Sequence, residues 1–373
     1  MTTHAALRGV GITSPAGHDL EAFRAWWRDG RPSRLGPSKH LANEEFVPVD
    51  QVGEVPDWKA RKHIPERKSI KLMFPRVQLG VAAALEAWNS DGGLAADDAD
   101  VPPERRAMYV ACGLTVDEDW TFRDAIDRAI VEVDGRERFD MPTFAREGQD
   151  LLNPLWLVKG LSNNVLAFVA KFQRIMGPND NFMAGHAGAL QALGAAAGAV
   201  CEGRADRALC GGSDSLVTVE DLIGFARQGA FEEEPTVVPA QGGGFALLTR
   251  GEPGDFGLLG IETAYMATPP PGAGWRPPAR VEDAITRAAE AAWARAGLER
   301  APAATVRGPR LPQGPGDVDL WSALGDPGAA VGGWLLAAAW ALRFDDGVDG
   351  PIELVAASNN GEVAVAVLGT LPE

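Results

Sequence analysis

The stretch Met183–Gly194, MAGHAGALQALG, places a histidine in a tight turn between a short strand and a helix. The small residues around the turn allow a sharp bend, and the alanine-rich run that follows predicts a helix from about Ala187 to Cys201. Such a turn presents the side chain of His186 at the helix N-terminus, where backbone N–H groups and the helix dipole stabilise negative charge. This geometry activates cysteine and serine nucleophiles, so residue 186 is predicted to occupy a nucleophile position.

Outward from this turn, predicted strands and helices alternate in both directions. Toward the N-terminus, the apolar run Leu7–Thr13 predicts a strand, and Asp19 is placed to cap a helix after it. Toward the C-terminus, Phe256–Tyr265 predicts a strand and Val281–Ala296 a helix. The alternation indicates α/β layers with buried sheets. Residues 117–150 are charged and irregular in period, and we interpret them as a peripheral, partly helical insertion.

Several segments, in this order and at these spacings, resemble those of β-ketoacyl synthases. The nucleophile motif of that family reads Thr-Ala-Cys-Ala-Ser-Gly and then Ala-Ile-Gly; the aligned runs here are Ala184–Ala189 and Ala192–Gly194. CEGRADRALCGGSDS, at Cys201–Ser215, is similar to the family's helix end and following strand, which finishes in Gly-Gly-x-Glu-Ser. Gly9–Ser33 resembles the family's first strand and helix. Gly242–Arg250 resembles the end of its first half, and Ser358–Leu368 resembles its closing strand.

The resemblance implies a thiolase-like fold of five αβαβα layers, usually dimeric, made of two similar halves. On this basis we expect residues 1–250 to form the N-terminal half and residues 251–373 the C-terminal half. In the family, a cysteine at the turn takes up the acyl chain, and two histidines of the second half assist malonyl decarboxylation and condensation. These demands are physical, because the thiolate must form near neutral pH and the developing enolate needs hydrogen-bond donors.

This chain lacks that catalytic set. No cysteine occupies the turn, and no histidine follows residue 186; the five histidines are His4, His18, His40, His63 and His186. Alignment places Arg307 near the first missing histidine, Asp326 at the second, and Trp321 where the family has a lysine. We therefore expect no catalytic residues, and we expect neither a cofactor nor a metal.

His186 has two interpretations. As a functional residue it would act as a base or hydrogen-bond a thioester carbonyl. As a structural residue it would fill the vacated nucleophile pocket and bond nearby backbone, and we favour this role because no catalytic partner survives. Arg307 and Asp326 are interpreted as surface or ion-pair residues and not as catalysts, with a place in the lining of the old cavity as a further interpretation. Cys112, which ends a buried strand, and Ser14, which lacks a base, are weaker candidates for a nucleophile.

Composition narrows the classes of partner and compartment. The net charge of −16 argues against nucleic acid and anionic membranes as partners. The longest apolar stretch, Ala329–Leu342, is shorter than the ~20 residues of a membrane span, and the N-terminal residues do not resemble a secretory signal. Three cysteines in apolar or glycine-rich surroundings suggest reduced thiols and a cytoplasmic protein. The basic segment Lys59–Lys71 is interpreted as a solvated surface.

Ketosynthase-like chains without the nucleophile resemble chain length factors of aromatic polyketide and aryl-polyene systems. Such proteins pair with an active ketosynthase and shape the channel for the growing chain, in polyketide or fatty-acid-like biosynthesis. The resemblance implies that the partner supplies the Cys-His-His set and mainly binds the acidic acyl carrier protein, with the strand Asn181–Met183 in the interface. Glutamine usually stands at the turn of those proteins, so His186 departs from the pattern.

Two alternatives stay open at the level of sequence. One is an enzyme with altered chemistry, a malonyl decarboxylase or acyltransferase that uses His186. The other is a ketosynthase-derived scaffold or ligand-binding protein without a ketosynthase partner.

Overall fold

A nine-stranded mixed sheet runs through the computed structural model of the chain, which describes residues 4–38, 49–91, 100–113, 120–218, 221–222, 238–266 and 281–373. A separate hairpin is formed by the strands Ile130–Val133 and Arg136–Phe139. The strands are β1 (Ala5–Thr13), β2 (Arg106–Cys112), β3 (Ile130–Val133), β4 (Arg136–Phe139), β5 (Asn179–Phe182), β6 (Arg207–Ser215), β7 (Gln241–Arg250), β8 (Phe256–Tyr265), β9 (Ala304–Arg307), β10 (Ile352–Ala357) and β11 (Glu362–Thr370).

The helices alternate with the strands along the chain. In the described part of the chain they are α1 (Leu20–Arg28), α2 (Arg67–Ile70), α3 (Pro75–Asn89), α4 (Trp120–Arg128), α5 (Met141–Thr143), α6 (Trp156–Lys159), α7 (Asn164–Gln173), α8 (Gly188–Cys201), α9 (Val281–Ala296), α10 (Trp321–Leu324) and α11 (Val331–Phe344). None of these helices is long and apolar enough to cross a membrane.

The strand order β5-β2-β6-β7-β1-β8-β11-β10-β9 repeats one pattern twice. In the first half, β1, β7 and β6 are antiparallel neighbours, and β6, β2 and β5 are parallel. In the second half, β8, β11 and β10 are antiparallel, and β10 is parallel to β9. Two antiparallel pairings, Ala5 with Leu258 and Ala6 with Gly257, join the halves. The chain is therefore built from two similar α/β units.

Helices cover both halves of the sheet and separate them. The outer helix α3 packs on the first half with Val81 and Trp88, and α9 packs on the second half with Trp293. Between the two halves lie α8 and α11, whose apolar residues belong to one continuous core. The result is the predicted succession of α, β, α, β and α layers.

The central helices are rich in glycine and alanine because they approach their neighbours closely. A Cβ atom at Gly332 of α11 would lie 2.9 Å from the Cβ of Ala189 in α8. A Cβ atom at Gly333 would lie only 2.1 Å from the Gly244 carbonyl oxygen in β7. Side chains at these positions would force the layers apart, and the starts of α8 and α11 could not meet as they do.

Most predicted elements of the core are confirmed. The strand Phe256–Tyr265 and the helix Val281–Ala296 have the predicted bounds, and the Asp19 side chain accepts a hydrogen bond from the Ala22 N–H at the start of α1. The insertion is exposed and partly helical, but it also contains the hairpin β3–β4, which was not predicted. Its first residues, 117–119, lie outside the described residues.

Glu86 of α3 fastens the turn between β1 and α1. One carboxylate oxygen accepts a hydrogen bond from the Ile12 N–H at 2.9 Å, and the other accepts one from the Leu20 N–H at 2.7 Å. Burial raises the pKa of Glu86 to about 7, although the two backbone donors act in the opposite direction. The folded protein therefore takes up a proton at Glu86 at pH values where the unfolded chain has lost it.

The substitution Glu86→Gln is expected to remove a pH dependence of stability. The pKa of Glu86 in the folded protein lies above its ordinary value. The contribution of Glu86 to the free energy of unfolding of the wild type is therefore largest at low pH, and it declines as the pH rises from about 4.5 to 7. The unfolding free energy of the variant relative to wild type should rise by about 3 kcal/mol between pH 5 and pH 8, measured by denaturant titration. Glu21→Gln, at an exposed carboxylate, serves as the control and should leave the pH dependence of the unfolding free energy unchanged. If the Glu86 variant showed the same pH dependence as the wild type, the raised pKa of Glu86 would be contradicted.

Candidate functional site

His186 lies in a 3₁₀ turn, Gly185–Ala187, that leads directly into α8. Its side chain is buried, with the residue 6% exposed. Gly185 has φ +51°, which a residue with a side chain adopts only at a cost, so glycine suits this bend. The structure therefore places His186 at the start of a buried central helix.

A second 3₁₀ turn, Gly328–Ala330, leads into α11 and packs against the first. It occupies the equivalent position in the C-terminal half, since β10 and β11 follow α11 as β6 and β7 follow α8. Asp326 lies two residues before this turn and is 3% exposed. The two helix starts thus bring residues 186 and 326 together across 140 positions of the chain.

A direct hydrogen bond joins these two side chains. Nε2 of His186 lies 2.9 Å from Oδ1 of Asp326. Because a carboxylate only accepts hydrogen bonds, Nε2 carries the hydrogen of this contact. Oδ1 also accepts a hydrogen bond from the Gly328 N–H at 2.9 Å.

Arg310 completes the environment of Asp326. Its Nη2 donates to Oδ2 of Asp326 at 2.5 Å, and the two side chains are 10% and 4% exposed. Burial alone would raise the pKa of Asp326, but His186 and Arg310 favour the carboxylate and hold the pKa below its ordinary value. Arg310 adopts φ +67°, an unfavourable conformation for a residue other than glycine that persists where the surrounding structure holds it.

A second buried carboxylate, that of Asp214, accepts a hydrogen bond from the next backbone amide of the turn Gly328–Ala330. It accepts hydrogen bonds from the Ala329 N–H at 3.1 Å and from the Ser215 N–H at 3.0 Å, and Arg76 lies 3.7 Å away. Burial raises the pKa of Asp214, while Arg76 and the two amides favour its charged form. A Cβ atom at Gly328 would lie 2.5 Å from this carboxylate, so the close approach requires glycine there.

Ser358 plays a similar role at the start of α8, where its side chain forms hydrogen bonds with the backbone. Its hydroxyl oxygen accepts a hydrogen bond from the Ala187 N–H at 3.1 Å, and the hydroxyl donates to the Ala184 carbonyl. Amides at the starts of both central helices therefore bind acceptors from the protein itself. An incoming thioester would have to displace these groups before its carbonyl oxygen or carboxylate reached the same amides.

Of the residues predicted near the lost histidines, the structure brings only Asp326 into contact with His186 among the described residues. Arg307 instead pairs with Glu282 at 3.0 Å and with Asp317 at 3.6 Å. Trp321 donates from Nε1 to the Arg307 carbonyl at 2.6 Å and stacks on a second tryptophan, with ring centroids 6.3 Å apart. Trp321 belongs to the main apolar core, and Arg307 ends β9.

Arg310, Asp214 and Ser358 were not identified from the sequence as site residues. Arg310 lies three positions after Arg307 in TVRGPRLP, and the Gly-Pro step between them was the available signal for a chain reversal. Cys112, interpreted as a core residue, ends β2 in a fully buried position. Burial and the nearby Asp214 raise the pKa of Cys112 to about 12, so its thiol does not ionise near neutral pH.

Comparison with known proteins gives one family. The family model described as "Beta-ketoacyl synthase, N-terminal domain" matches residues 5–250. No curated protein sequence matches the chain.

Solved structures share the whole fold. "The ishigamide ketosynthase/chain length factor" has a TM-score of 0.73 and 19% identity, with 99% of each chain covered. The complex AntDE:AntF, a type II PKS acyl-carrier protein with its ketosynthase bound to the hexaketide, has a TM-score of 0.71 and 16% identity over 100% of both chains. A β-ketoacyl synthase from Burkholderia phymatum STM815 has a TM-score of 0.74 and 15% identity, covering 99% of this chain and 100% of that one. The predicted thiolase-like fold is confirmed.

Proposed function

Because the chain belongs to the β-ketoacyl synthase family, we propose that it is a non-catalytic subunit of chain-length-factor type. It pairs with an active β-ketoacyl-acyl carrier protein synthase and shapes the acyl channel of the complex. The partner supplies the cysteine and the two histidines, and it mainly binds the acyl carrier protein. The setting is polyketide or fatty-acid-like biosynthesis.

The observation that carries this proposal is the state of His186. Its Nε2 is committed to Asp326, and amides at both helix starts already have acceptors. The sequence has no histidine after residue 186 that could assist decarboxylation or condensation. The scaffold of a ketosynthase is retained here, while the groups that would form and attack a thioester are not.

The edge strand β5 supports pairing with a second subunit. It pairs with β2 on one side and is the last strand in the strand order, and its Asn181 N–H donates to the Asp180 side chain at 2.8 Å. The opposite edge, β9, is flanked by Val318, whose N–H donates to the Thr305 carbonyl at 3.0 Å. Within the described residues, β5 is therefore the open edge of the nine-stranded sheet, and an open edge favours strand pairing.

Exposed apolar side chains flank the same strand. Leu161, Met176 and Met183 are 50%, 65% and 50% exposed, and Asn181 of β5 bonds Ser162 next to Leu161. We name these three side chains the β5 patch. Obligate interfaces are apolar and commonly bury about 2,000 Å² or more, so this patch is a suitable centre for one.

The carrier-protein assignment rests on charge. The chain has a net charge of −16, and acyl carrier proteins are acidic, so long-range repulsion opposes docking on most of its surface. Among the structural relatives, one is a complex of an acyl-carrier protein with its ketosynthase. Both points support a carrier protein that approaches through the partner subunit.

The purified chain alone is expected to be inert. It should neither release CO₂ from malonyl thioesters nor transfer an acyl group, because residue 186 is not the cysteine that takes up the acyl chain and the sequence has no histidine after it. The variant His186→Gln keeps a side-chain donor for Asp326 and should behave like the wild type in the same assay. Turnover by the purified wild-type chain that exceeds the uncatalysed rate would contradict the proposal.

The hydrogen bond between His186 and Asp326 favours one alternative, an altered-chemistry decarboxylase or acyltransferase. An aspartate that orients a histidine is the usual support of a general base, and Nδ1 would then be the reactive nitrogen. This alternative requires turnover that is lost in His186→Gln and retained in Trp321→Phe. The same assay therefore separates the two functions.

A further inference from the structure

We propose that His186, Arg310 and the Gly328 amide form a carboxylate-binding site whose resident ligand is the side chain of Asp326. The site is selective for small carboxylates, and in the wild-type chain it is closed by the protein's own group. This inference does not depend on whether the chain pairs with a ketosynthase.

All three groups donate hydrogen bonds to the Asp326 carboxylate. Oδ1 receives hydrogen bonds from His186 Nε2 and the Gly328 N–H, each at 2.9 Å, and Oδ2 receives one from Arg310 Nη2 at 2.5 Å. The donors come from three separate segments, of which only the segment containing Gly328 is adjacent to Asp326. Hydrogen bonds from an arginine and an amide to an ionised carboxylate are the short, strong kind.

The positions of the three donors are fixed by residues other than Asp326. His186 is fixed by the turn at the start of α8, which Ser358 ties together through Ala184 and Ala187. Arg310 keeps a left-handed backbone conformation, which places its guanidinium within the buried site. Gly328 is fixed by the turn into α11, and that turn is also held by Asp214 through the Ala329 N–H.

Removal of the resident carboxylate should therefore leave a preorganised site. In Asp326→Ala the lost atoms are a carboxyl group, and formate has the same shape and charge. The donors would stay buried and would lack the acceptor that Asp326 supplied until an anion entered, which favours binding. Acetate adds a methyl group where the remaining Cβ of the substituted residue would lie, so it should bind more weakly than formate.

The test is thermal unfolding of Asp326→Ala during titration with sodium formate. The unfolding temperature should rise saturably by several degrees, as expected for a ligand that binds only the folded state. Sodium chloride at matched ionic strength should not reproduce the rise. Wild type and Asp326→Asn, in which the site is still filled, should show no formate-specific shift.

A second variant keeps the test decisive. Adding Arg310→Leu to Asp326→Ala should abolish the formate effect, because the site then loses its cationic donor. If Asp326→Ala fails to fold in buffer alone, refolding yield in formate against chloride becomes the readout, and a selective gain of at least several-fold is expected. Equal shifts in wild type and variant, or no difference between formate and chloride, would overturn the proposal.

Discussion

Replacement of Arg310 by methionine is expected to lower the free energy of unfolding by about 3–5 kcal/mol, the range for breaking one side of a buried ion pair. The loss follows from Asp326, which is 4% exposed at its side chain and, among the described residues, would keep His186 and the Gly328 amide as donors. Relief of the φ +67° conformation does not offset this, because methionine is no better suited to it. Denaturant unfolding monitored by tryptophan fluorescence gives the difference directly.

Arg307→Met is the matched control for this prediction. Arg307 lies in the same segment and also pairs with carboxylates, but Glu282, at 3.0 Å, is 42% exposed at the side chain, and the less exposed Asp317 lies farther away, at 3.6 Å. A partly solvated pair of this kind contributes about 1 kcal/mol or less. Equal losses in the two variants would show that Arg310 has no special role. Combining Arg310→Met with Asp326→Asn should cost less than the sum of the single changes, because the second substitution removes the charge that the first leaves uncompensated.

The second large effect concerns the interface. Met183→Asp places a charge in the β5 patch, where Met183 is 50% exposed in the isolated subunit. In an obligate apolar interface that charge would be desolvated without a countercharge, so the affinity for the proposed ketosynthase partner should fall by about 30-fold or more, equivalent to about 2 kcal/mol. Copurification of the two co-expressed chains, followed by light scattering, measures the loss of the complex.

Leu298→Asp provides the control for the charge itself. Leu298 is 43% exposed and follows α9 on the outer layer of the C-terminal half, outside the β5 patch. This variant should copurify as the wild type does. If Met183→Asp still forms the complex, or if both variants lose it, β5 is not the pairing edge.

Local chemistry explains why much of the core was predictable from sequence. Asp19 caps the start of α1, and Gly297, with φ +68°, follows the end of α9. The start of the one helix and the end of the other are therefore determined by a few adjacent residues. The position of His186 follows from a strand, a small-residue turn and an alanine-rich helix in direct succession. Each of these signals is local and acts on neighbouring residues.

Two elements were missed for identifiable reasons. The hairpin β3–β4 turns at Asp134-Gly135, both with positive φ, and this Asp-Gly pair is a hairpin signal that the surrounding charge obscured. Strand β9 has only four residues and is stabilised by parallel pairing with β10, almost fifty positions later in the chain. A strand so short has too few residues to show a periodicity.

The candidate site was only partly predictable because its contacts cross the whole fold. His186 meets Asp326 through the packing of two helix starts, and sequence alignment could propose each residue but not their hydrogen bond. Arg310 reaches Asp326 through a left-handed backbone conformation that no local pattern of side chains indicates. Convergence of this kind is decided by tertiary packing and not by local propensity.

The most direct test of the proposed function is product formation by the complex of this chain with its proposed ketosynthase partner. We expect a 1:1 complex that condenses acyl and malonyl units, retains its activity when this chain carries His186→Gln, and loses it when the partner's nucleophilic cysteine is replaced by alanine. Activity that disappears with His186→Gln in an intact complex, or that persists without the partner's cysteine, would contradict it.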